Sequence, residues 1–369
     1  MSGIKKKKQA LSFQMSLLCI DTDAGVDDAY ALILALRSSR RVDLLTCCAG
    51  NCSLQNVKTN VSKVVKLMSF LGSERPRISA GAAGPLSKSH PAIDAGYFHG
   101  NDGLGDVPSG TPGEVTLEEG EEEADDNDAP GAIIDLCRRS GEGGVELVVL
   151  GPLTNLALAL QRDVNNELKC KLRRVFIMGG SAGRGNVTRA AEFNMYADPE
   201  AASVCFAALS SIEWEPICET TVVPWDLCVE SPIPWDVFDK CVWDDAPNRP
   251  TLSTLFLKAI STLSYPPPKV RSPSDGKRGG LGAVVCDALA VFLALNPDAI
   301  LESSRVHVDV ELDGTLTRGQ TVLDFGHAYD GVERPKAVRW VTKIDQKRYC
   351  EAFVSLFAAE EYVPKSLSV

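Results

Sequence analysis

The sequence has few histidines, no Cys-x-x-Cys pair and no surplus of positive charge. Only 4 of its 369 residues are histidine, and 49 aspartates and glutamates outnumber 38 lysines and arginines. The formal net charge of −11 argues against a nucleic-acid partner, because no basic face could easily dominate the surface. The lack of a Cys-x-x-Cys pair and of a histidine-rich cluster disfavours a zinc site.

Long apolar runs are also missing, since no segment reaches the length of about 20 residues that a membrane-spanning helix requires. The apolar run at residues 11–20 is too short for a signal peptide and leads straight into an acidic segment. Most of the 12 cysteines stand in apolar segments, where a free thiol behaves as a small hydrophobic side chain. Examples are Cys19, Cys47, Cys48, Cys137, Cys205 and Cys286. We therefore expect a reducing compartment, and a cytoplasmic protein with no membrane partner.

Patterns typical of buried strands alternate with patterns typical of helices over the first half of the chain. The predicted strands lie at residues 16–20, 42–48, 77–80, 145–150 and 174–178. Between the second and third of them, residues 55–71 carry valines at helical spacing. This order predicts an α/β protein with an open, mostly parallel, Rossmann-like sheet, helices on both faces, and mainly helical C-terminal additions.

The composition predicts one large domain. We expect residues 1–15 to form a disordered tail and residues 16–369 to form a single α/β domain. We expect an acidic surface insertion at residues 112–128, because residues 118–128 are nearly all acidic and like charges repel one another. The elements predicted near the C-terminus are a helix at 282–295, strands of a late hairpin at 305–312 and 337–344, and a final helix at 345–359.

The most informative segment is residues 21–29, DTDAGVDDA, directly after the first predicted strand. It carries the carboxylates of Asp21, Asp23, Asp27 and Asp28. Crowded carboxylates repel one another unless a positive charge lies among them. Gly25 lets the backbone turn tightly between the two acidic pairs. We therefore expect a strand, a loop around a hard cation, and then a helix.

Polar side chains also follow other predicted strands. Asn51 follows the second strand, and Asn186, Glu192 and Asn194 follow the strand predicted at 174–178. Because ligands of open α/β sheets bind beyond the carboxyl ends of the strands, we expect these side chains to share one site. Carboxylates and amides suit a hard cation and sugar hydroxyls, whereas no Walker lysine or GxGxxG motif follows any strand.

Several short motifs occur in an order that is familiar from one enzyme family. Residues 21–29 resemble the DxDxGxDDA signature of the inosine-uridine-type nucleoside hydrolase family. The similarity continues with AGN at 49–51, HGNDGL at 99–104, GPLTN at 151–155, MGG at 178–180, GN at 185–186, AEFN at 191–194 and DPEA at 198–201. A lone DxD pair is a weak signal, but this many blocks in order over residues 20–295 are specific.

The resemblance implies a calcium-dependent hydrolase that splits the N-glycosidic bond of purine or pyrimidine ribonucleosides and serves nucleoside salvage. It implies that Asp23, Asp28 and Asp287 ligate calcium together with the backbone carbonyl of Leu150, and that Asp23 activates a calcium-bound water as the general base. His99 lies in the block that the family places near the mouth of the active site. The resemblance also implies a homo-oligomer, either a dimer or a tetramer.

The residues that the resemblance assigns to the ribose hydroxyls form a second set. Asp287 would contact both the metal and the sugar. The others are Asp27, Asn51, Asn186, Glu192 and Asn194.

One motif departs from many members of the family, which carry His-Asp where this chain has Cys286 and Asp287. The histidine helps to protonate the departing base, and a thiol with an unperturbed pKa of about 8.5 is a poorer proton donor at pH 7. Some members carry cysteine here, so the chain resembles that subgroup. Cys286 is then a direct donor, a passive wall of the pocket, or a sign that another residue protonates the base. Trp225 and Tyr265 either stack on a purine or serve only in packing.

Two other functions stay open from the sequence. A nucleoside or ribose binder without turnover would keep the pocket, and Cys286 is compatible with it. A phosphatase of the haloacid-dehalogenase type also begins with Asp-x-Asp after its first strand, with Asp21 as the nucleophile. That class requires a threonine-like residue where Gly25 stands, and a downstream lysine that the sequence does not offer at a convincing position.

Overall fold

The computed structural model describes residues 16–357 except residues 119, 122–123, 212–213, 215–217, 245–250, 272–280, 327–333 and 336. The tail predicted for residues 1–15 lies outside this part of the chain, as do the last residues of the predicted final helix. In chain order the strands are β1 (Leu17–Thr22), β2 (Leu44–Cys47), β3 (Arg77–Ala80), β4 (Val145–Val149), β5 (Leu172–Met178), β6 (Glu219–Val223), β7 (Ile233–Pro234), β8 (Gly282–Ala283), β9 (Ile300–Val310), β10 (Thr321–Asp324) and β11 (Val338–Ile344).

Nine of these described strands form one sheet, in the order β10-β9-β11-β6-β5-β4-β1-β2-β3. The seven strands from β11 to β3 are parallel, whereas β9 and β10 are antiparallel to their neighbours. The chain leaves β1 toward β2 and β3 on one side and continues with β4 on the other side of β1. This reversal is a topological switch point, where open α/β sheets bind their ligands at the carboxyl ends of the strands.

Helices cover both faces of this sheet. In chain order the α-helices are Val26–Arg37, Leu54–Phe70, Gly96–His99, Ala129–Arg139, Thr154–Arg162, Glu167–Lys171, Phe193–Ala197, Pro199–Leu209, Trp225–Glu230, Trp235–Val242, Leu252–Ser264, Cys286–Leu295 and Gln346–Ser355. A 3₁₀-helix spans Pro297–Ala299. None of the described helices combines the length and the apolar character needed to cross a membrane.

The alternation of side chains along β1 explains the two helical layers. Leu18 and Ile20 belong to one buried hydrophobic cluster, and Cys19 between them belongs to another. Successive side chains of a strand point to opposite faces, so both faces of the sheet are packed. Parallel strands with two covered faces are apolar almost throughout, as the sequence VELVV of β4 illustrates. The prediction of an open, mostly parallel sheet with helices on both faces is confirmed.

The first strand is longer than predicted. We expected it to end at Ile20, whereas β1 continues to Thr22. The parallel pairing with β2 extends to Asp21 and Thr22, opposite Thr46 and Cys47. Asp21 therefore lies within the strand, and its carboxylate is held by neighbouring elements of the sheet.

The C-terminal part differs more from expectation. The helix predicted at 282–295 begins only at Cys286, because Gly282 and Ala283 form β8 and pair with β7. The late pair of strands exists as β9 and β11, which are antiparallel neighbours. However, β11 also pairs in parallel with β6, and β10 extends the sheet beyond β9. The C-terminal additions thus include strands as well as helices.

The acidic segment lies along the edge strand β3. Asp125 and Asp126 form backbone hydrogen bonds with this strand. Their carboxylates also form ion pairs with Arg75 at 3.0 Å and with Arg77 at 2.6 Å. These two arginines offset the repulsion among the neighbouring carboxylates, and the segment covers an edge that would otherwise present unpaired backbone groups.

Candidate active site

The carboxyl ends of β1, β2, β4 and β5 surround a cavity of about 850 Å³. Its lining includes most of the site residues expected from the sequence, namely Asp23, Asp27, Asn51, His99, Leu150, Asn186, Glu192, Asn194, Cys286 and Asp287. Asp28 is not among the described lining residues, but its carboxylate accepts a hydrogen bond from Asn51 Nδ2 at 3.2 Å. The fold thus brings together residues that are far apart in the sequence.

Asp23 is held in a narrow cradle. It is buried, and its Oδ2 accepts a hydrogen bond from the backbone N–H of Asn51 at 2.8 Å. A Cβ atom on Gly50 would lie 2.1 Å from this oxygen, and one on Gly151 would lie 2.9 Å from the carboxyl carbon. Any larger residue at these positions would displace the carboxylate. Burial and the nearby charge of Asp28 raise the pKa of Asp23 well above its usual range.

Asp28 is fixed by the turn that follows β1. Its carboxylate accepts hydrogen bonds from the Thr22 hydroxyl and, at 2.7 Å, from the backbone N–H of Gly25. Ala24, between these donors, has a φ of 46°, a left-handed conformation that is strained for a residue with a side chain. Its carbonyl accepts a hydrogen bond from Asn60 Nδ2 at 3.1 Å. The strained turn is therefore stabilised by hydrogen bonds to Asp28 and by the hydrogen bond from Asn60.

Three buried carboxylates form a group that could hold a metal ion. Each of Asp27, Asp28 and Asp287 offers one oxygen, and these oxygens lie within 4.8 Å of one another. Burial, followed by the charge of Asp28, raises the pKa of Asp27 to about 7, and burial with the charges of Asp27 and Asp28 raises that of Asp287 well above its usual range. A divalent cation would relieve this repulsion, so the donor set fits a hard cation.

This group differs in one member from the set that the resemblance implies. Asp28 and Asp287 occur in both sets, Asp27 takes part in the observed group, and Asp23 stands beside it. The carbonyl oxygen of Leu150, the fourth implied ligand, accepts a hydrogen bond from Asn194 Nδ2 at 2.6 Å. A carbonyl has two lone pairs, so this bond leaves one for a second partner.

Backbone groups orient the polar residues that follow β5. The Glu192 carboxylate accepts hydrogen bonds from the N–H groups of Gly180, Asn194 and Met195 at 3.0–3.2 Å. Burial nevertheless raises its pKa to about 7. Asn186 Oδ1 accepts a hydrogen bond from the Phe193 N–H at 2.8 Å. Both side chains are therefore held at the cavity wall before any ligand arrives.

His99 is buried and acts as a hydrogen-bond acceptor. Its Nδ1 accepts a hydrogen bond from the backbone N–H of Val26 at 2.9 Å and lies 3.9 Å from Asp27 Oδ1. Burial lowers the pKa of His99 to about 3, so the ring is neutral at pH 7. A neutral ring that accepts at Nδ1 carries its proton on Nε2.

Comparison with known proteins agrees with this geometry. The sequence profile of the inosine-uridine preferring nucleoside hydrolase family matches residues 18–351. The chain belongs to this nucleoside hydrolase family. It is 32% identical over 317 residues to the non-specific ribonucleoside hydrolase RihC of Salmonella newport (strain SL254), a match that covers 83% of this chain and 87% of the relative.

Solved structures of nucleoside hydrolases share the fold. An inosine-guanosine nucleoside hydrolase superposes with a TM-score of 0.76 at 30% identity, covering 93% of this chain and 98% of that one. A purine-preferring ribonucleoside hydrolase from Gardnerella vaginalis superposes with a TM-score of 0.74 at 24% identity, covering 93% and 98%. The predicted membership of the nucleoside hydrolase family is confirmed. The assignment to the subgroup with cysteine in place of the histidine stays a prediction.

In this nucleoside hydrolase Cys286, which precedes Asp287 in the motif that departs from many family members, is the first residue of the Cys286–Leu295 helix and lies in the cavity wall. The thiol is buried and lies beside Cys228. The hydrogen bond between the two thiols and burial raise the pKa of Cys286 well above its usual range. Cys286 is therefore a protonated thiol at pH 7.

Several supporting residues were missed by the sequence analysis. Asn155 Nδ2 donates to Asp21 Oδ1 at 2.7 Å, and its place in the GPLTN block was a signal that could have pointed to it. Thr22, which donates to Asp28, lies inside the family's first motif, so the sequence could also have pointed to it. Cys228 and Trp235 carry no comparable sequence signal, yet one contacts Cys286 and the other lines the cavity.

Asp21 has no place in the described cavity lining. Its Oδ1 accepts hydrogen bonds from Thr46 and Asn155, while its Oδ2 is buried and has no hydrogen-bond partner among the described residues. Burial raises the pKa of Asp21 to about 7. Asp21 thus ties β1 to β2 and to the Thr154–Arg162 helix, and it is poorly placed for the nucleophilic role that a phosphatase would require.

Proposed function

We propose that the chain hydrolyses the N-glycosidic bond of ribonucleosides and releases the free base and ribose. The observation that carries this proposal is the charge of the cavity. Asp23, Asp27, Glu192 and Asp287 line it, whereas Arg184 is the single lysine or arginine in the described lining. Cleavage of an N-ribosidic bond builds positive charge on the sugar, and fixed carboxylates stabilise such a transition state.

Ribose recognition is the task we assign to the polar side chains of the wall. Asp27 Oδ1 is buried without a hydrogen-bond partner among the described residues, which is costly unless a ligand hydroxyl donates to it. Four more side chains offer acceptors or donors toward the same cavity, namely Asn51, Asn186, Glu192 and Asn194. A site built this way rejects a sugar that lacks one hydroxyl, because its own buried polar groups are then left unpaired.

Asp23 is the general base in this proposal. Its carboxylate lines the cavity and is held by the Asn51 N–H and by the two glycines of the cradle. It accepts the proton of the attacking water as the glycosidic bond breaks. A positioned base of this kind contributes about 10²–10⁴-fold to the rate.

We propose calcium as the metal, held by Asp28 and Asp287 with Asp23, Asp27 or the Leu150 carbonyl completing the oxygen ligands. When bound, calcium supplies positive charge that offsets the repulsion of the carboxylates, attracts the ribose hydroxyls and lowers the pKa of a nearby water. The support for this assignment is the close approach of the three buried carboxylate oxygens. All-oxygen donor sets are those that calcium prefers.

The groups that can donate a hydrogen bond to the departing base in this chain are weak acids. The Cys286 thiol is protonated at pH 7 and lines the cavity, so it can offer a hydrogen bond to the departing base. The neutral His99 holds the start of the Val26–Arg37 helix through its Nδ1 and keeps a donor at Nε2. Neither group is a strong acid, so we expect nucleosides with good leaving bases to be preferred.

The test is to incubate the purified protein with inosine, adenosine, uridine and cytidine and to assay free ribose. Release from at least one nucleoside, and a much lower rate with its 2′-deoxy analogue, is the expected result. The relatives named inosine-guanosine nucleoside hydrolase and non-specific ribonucleoside hydrolase support this choice of substrates. Binding of a nucleoside without ribose release would instead favour the inert binder, which the weak acidity of Cys286 and His99 makes the second candidate.

We propose further that the chain forms a homo-oligomer, either a dimer or a tetramer, and that residues 16–369 form one domain. Light scattering coupled to size-exclusion chromatography measures the mass of the assembly, and a mass near the 39.6 kDa of one chain would contradict the first statement. Limited proteolysis that leaves one resistant fragment supports the second.

We also propose a cytoplasmic location. All 12 cysteines are free, which fits a reducing compartment. Fractionation of cells that express the tagged chain tests this location, and recovery from a secreted or membrane fraction would contradict it.

A further inference from the structure

The segment that leads into Asp287 has no side-chain cap of its own. It runs from β8 through Val284 to Val285, where the Cys286–Leu295 helix begins without a side-chain hydrogen bond at its N-cap. Cys286 and Asp287 occupy the first two positions of this helix. Their direction into the cavity therefore depends on what holds the backbone at residues 284 and 285.

Two buried tyrosine hydroxyls hold that backbone. The Tyr265 hydroxyl donates to the Val284 carbonyl at 2.7 Å, and the Tyr349 hydroxyl donates to the Val285 carbonyl at 2.8 Å. The exposed fractions of the two tyrosines are 3% and 1%. They come from different elements, the end of the Leu252–Ser264 helix and the Gln346–Ser355 helix.

The bond from Tyr349 is not needed to satisfy the Val285 carbonyl. That oxygen already accepts a hydrogen bond from the backbone N–H of Leu289 at 3.2 Å, as the first bond of the helix. A second donor at the same oxygen adds direction, because it restricts the rotation of the peptide plane from which Cys286 departs. We therefore interpret this bond as one that orients the peptide plane before Cys286.

The helix that carries Tyr349 is itself tied to the same segment. The Tyr349 ring packs on Phe292 of the Cys286–Leu295 helix, with ring centroids 5.4 Å apart. Gln346 Nε2 donates to the Pro232 carbonyl at 2.8 Å, directly before β7, and β7 pairs with β8. The Gln346–Ser355 helix therefore holds the approach to Asp287 at two points.

We propose that Tyr349 is a positioning residue of the active site, which orients Cys286 and Asp287 through the Val285 carbonyl, and that Tyr265 does the same through Val284. This inference rests on the proposed function, because it assigns Asp287 to the metal and the sugar. It adds residues from outside all the motifs that resemble the family. Groups that orient a metal ligand typically change metal affinity or activity by about 10–100-fold when they are removed.

The test compares Tyr349→Phe with Tyr30→Phe. Tyr30 is fully buried in the same region, and its hydroxyl hydrogen-bonds to Ser261 Oγ at 2.7 Å, away from the 284–285 backbone. Each variant loses one buried hydroxyl, so we expect comparable losses of thermal stability. Only Tyr349→Phe should weaken calcium affinity, measured by competition with a chromogenic chelator, and lower kcat/KM for the best nucleoside, each by about tenfold or more.

Amide hydrogen exchange of residues 284–289 is a readout that needs neither metal nor turnover. Faster exchange in Tyr349→Phe than in Tyr30→Phe supports the proposal. Calcium affinity or exchange that is equal in the two variants overturns it, and Tyr349 is then only a packing residue. Tyr265→Phe should change both readouts in the same direction. Failure of the wild-type protein to release ribose would refute the proposed hydrolysis while the calcium titration and the exchange still decide the role of Tyr349.

Discussion

Replacing Asp23 by asparagine isolates the chemistry of the proposed base from its geometry. The amide has the shape of the carboxylate, so its oxygen can keep the hydrogen bond from the Asn51 N–H and remain between Gly50 and Gly151. What the variant lacks is the ability to accept a proton. We therefore expect kcat to fall by about 10²–10⁴-fold, which corresponds to about 3–5 kcal/mol in the activation barrier.

The matched control is Asp21→Asn, the same chemical change two residues earlier. Asp21 is equally buried but has no place in the described cavity lining, so this variant should keep most of its activity. Ribose release under saturating calcium measures both variants, and circular dichroism checks that they fold. Retention of more than about a tenth of the wild-type kcat by Asp23→Asn would refute the assignment of the base. An equal loss in both variants would point to a structural effect.

Three further predictions concern charge, metal and shape. In the presence of a chelator, the free energy of unfolding of Asp21→Asn should rise relative to that of the wild type as pH rises from about 4 to about 7. The reason is that burial raises the pKa of Asp21 from 3.8 to about 7. The folded wild type holds the extra proton in that window and loses up to about 4 kcal/mol across it; a constant difference in urea titrations contradicts this. Calcium at about 100 times its Kd should add about 2.7 kcal/mol to the free energy of unfolding, with a smaller effect of magnesium, measured by thermal denaturation with and without chelator. Gly50→Ala should lower kcat/KM by about 10²-fold or more, because its Cβ would lie 2.1 Å from Asp23 Oδ2, whereas Gly84→Ala, with open space around it, should be close to wild type in the ribose assay.

The sequence was most informative where one local pattern serves both fold and site. The carboxylates of residues 21–28 could be placed after a strand because an apolar run precedes them and a helical pattern follows. Asn51 and Asn194 could be assigned to the same site because the carboxyl ends of parallel strands meet at one edge of the sheet. These inferences needed only the order of the elements.

Contacts that depend on side-chain direction or on remote segments could not be predicted. The sequence does not tell that Asp27, beside Asp28 and Asp287, belongs to the group of close carboxylates, because this depends on how each side chain leaves the turn. The tautomer of His99 depends on a hydrogen bond from the backbone N–H of Val26, which is 73 residues away in the sequence. The sequence analysis also did not predict β6, although its sequence ETTVV is rich in β-branched residues; its position between β5 and β11 in the sheet depends on a segment more than 100 residues later.

The place of β11 in the sheet has a consequence for the order in which this protein becomes complete during synthesis. Of the described strands it is the last one to be synthesised, yet it lies between β6 and β9, and Tyr349 follows it. All the motifs that resemble the family have left the ribosome well before these residues do. Until they emerge, β6 keeps an unpaired edge and the backbone before Cys286 lacks one of its two tyrosine donors. A nascent chain can therefore carry every sequence signature of the enzyme and still lack a finished site.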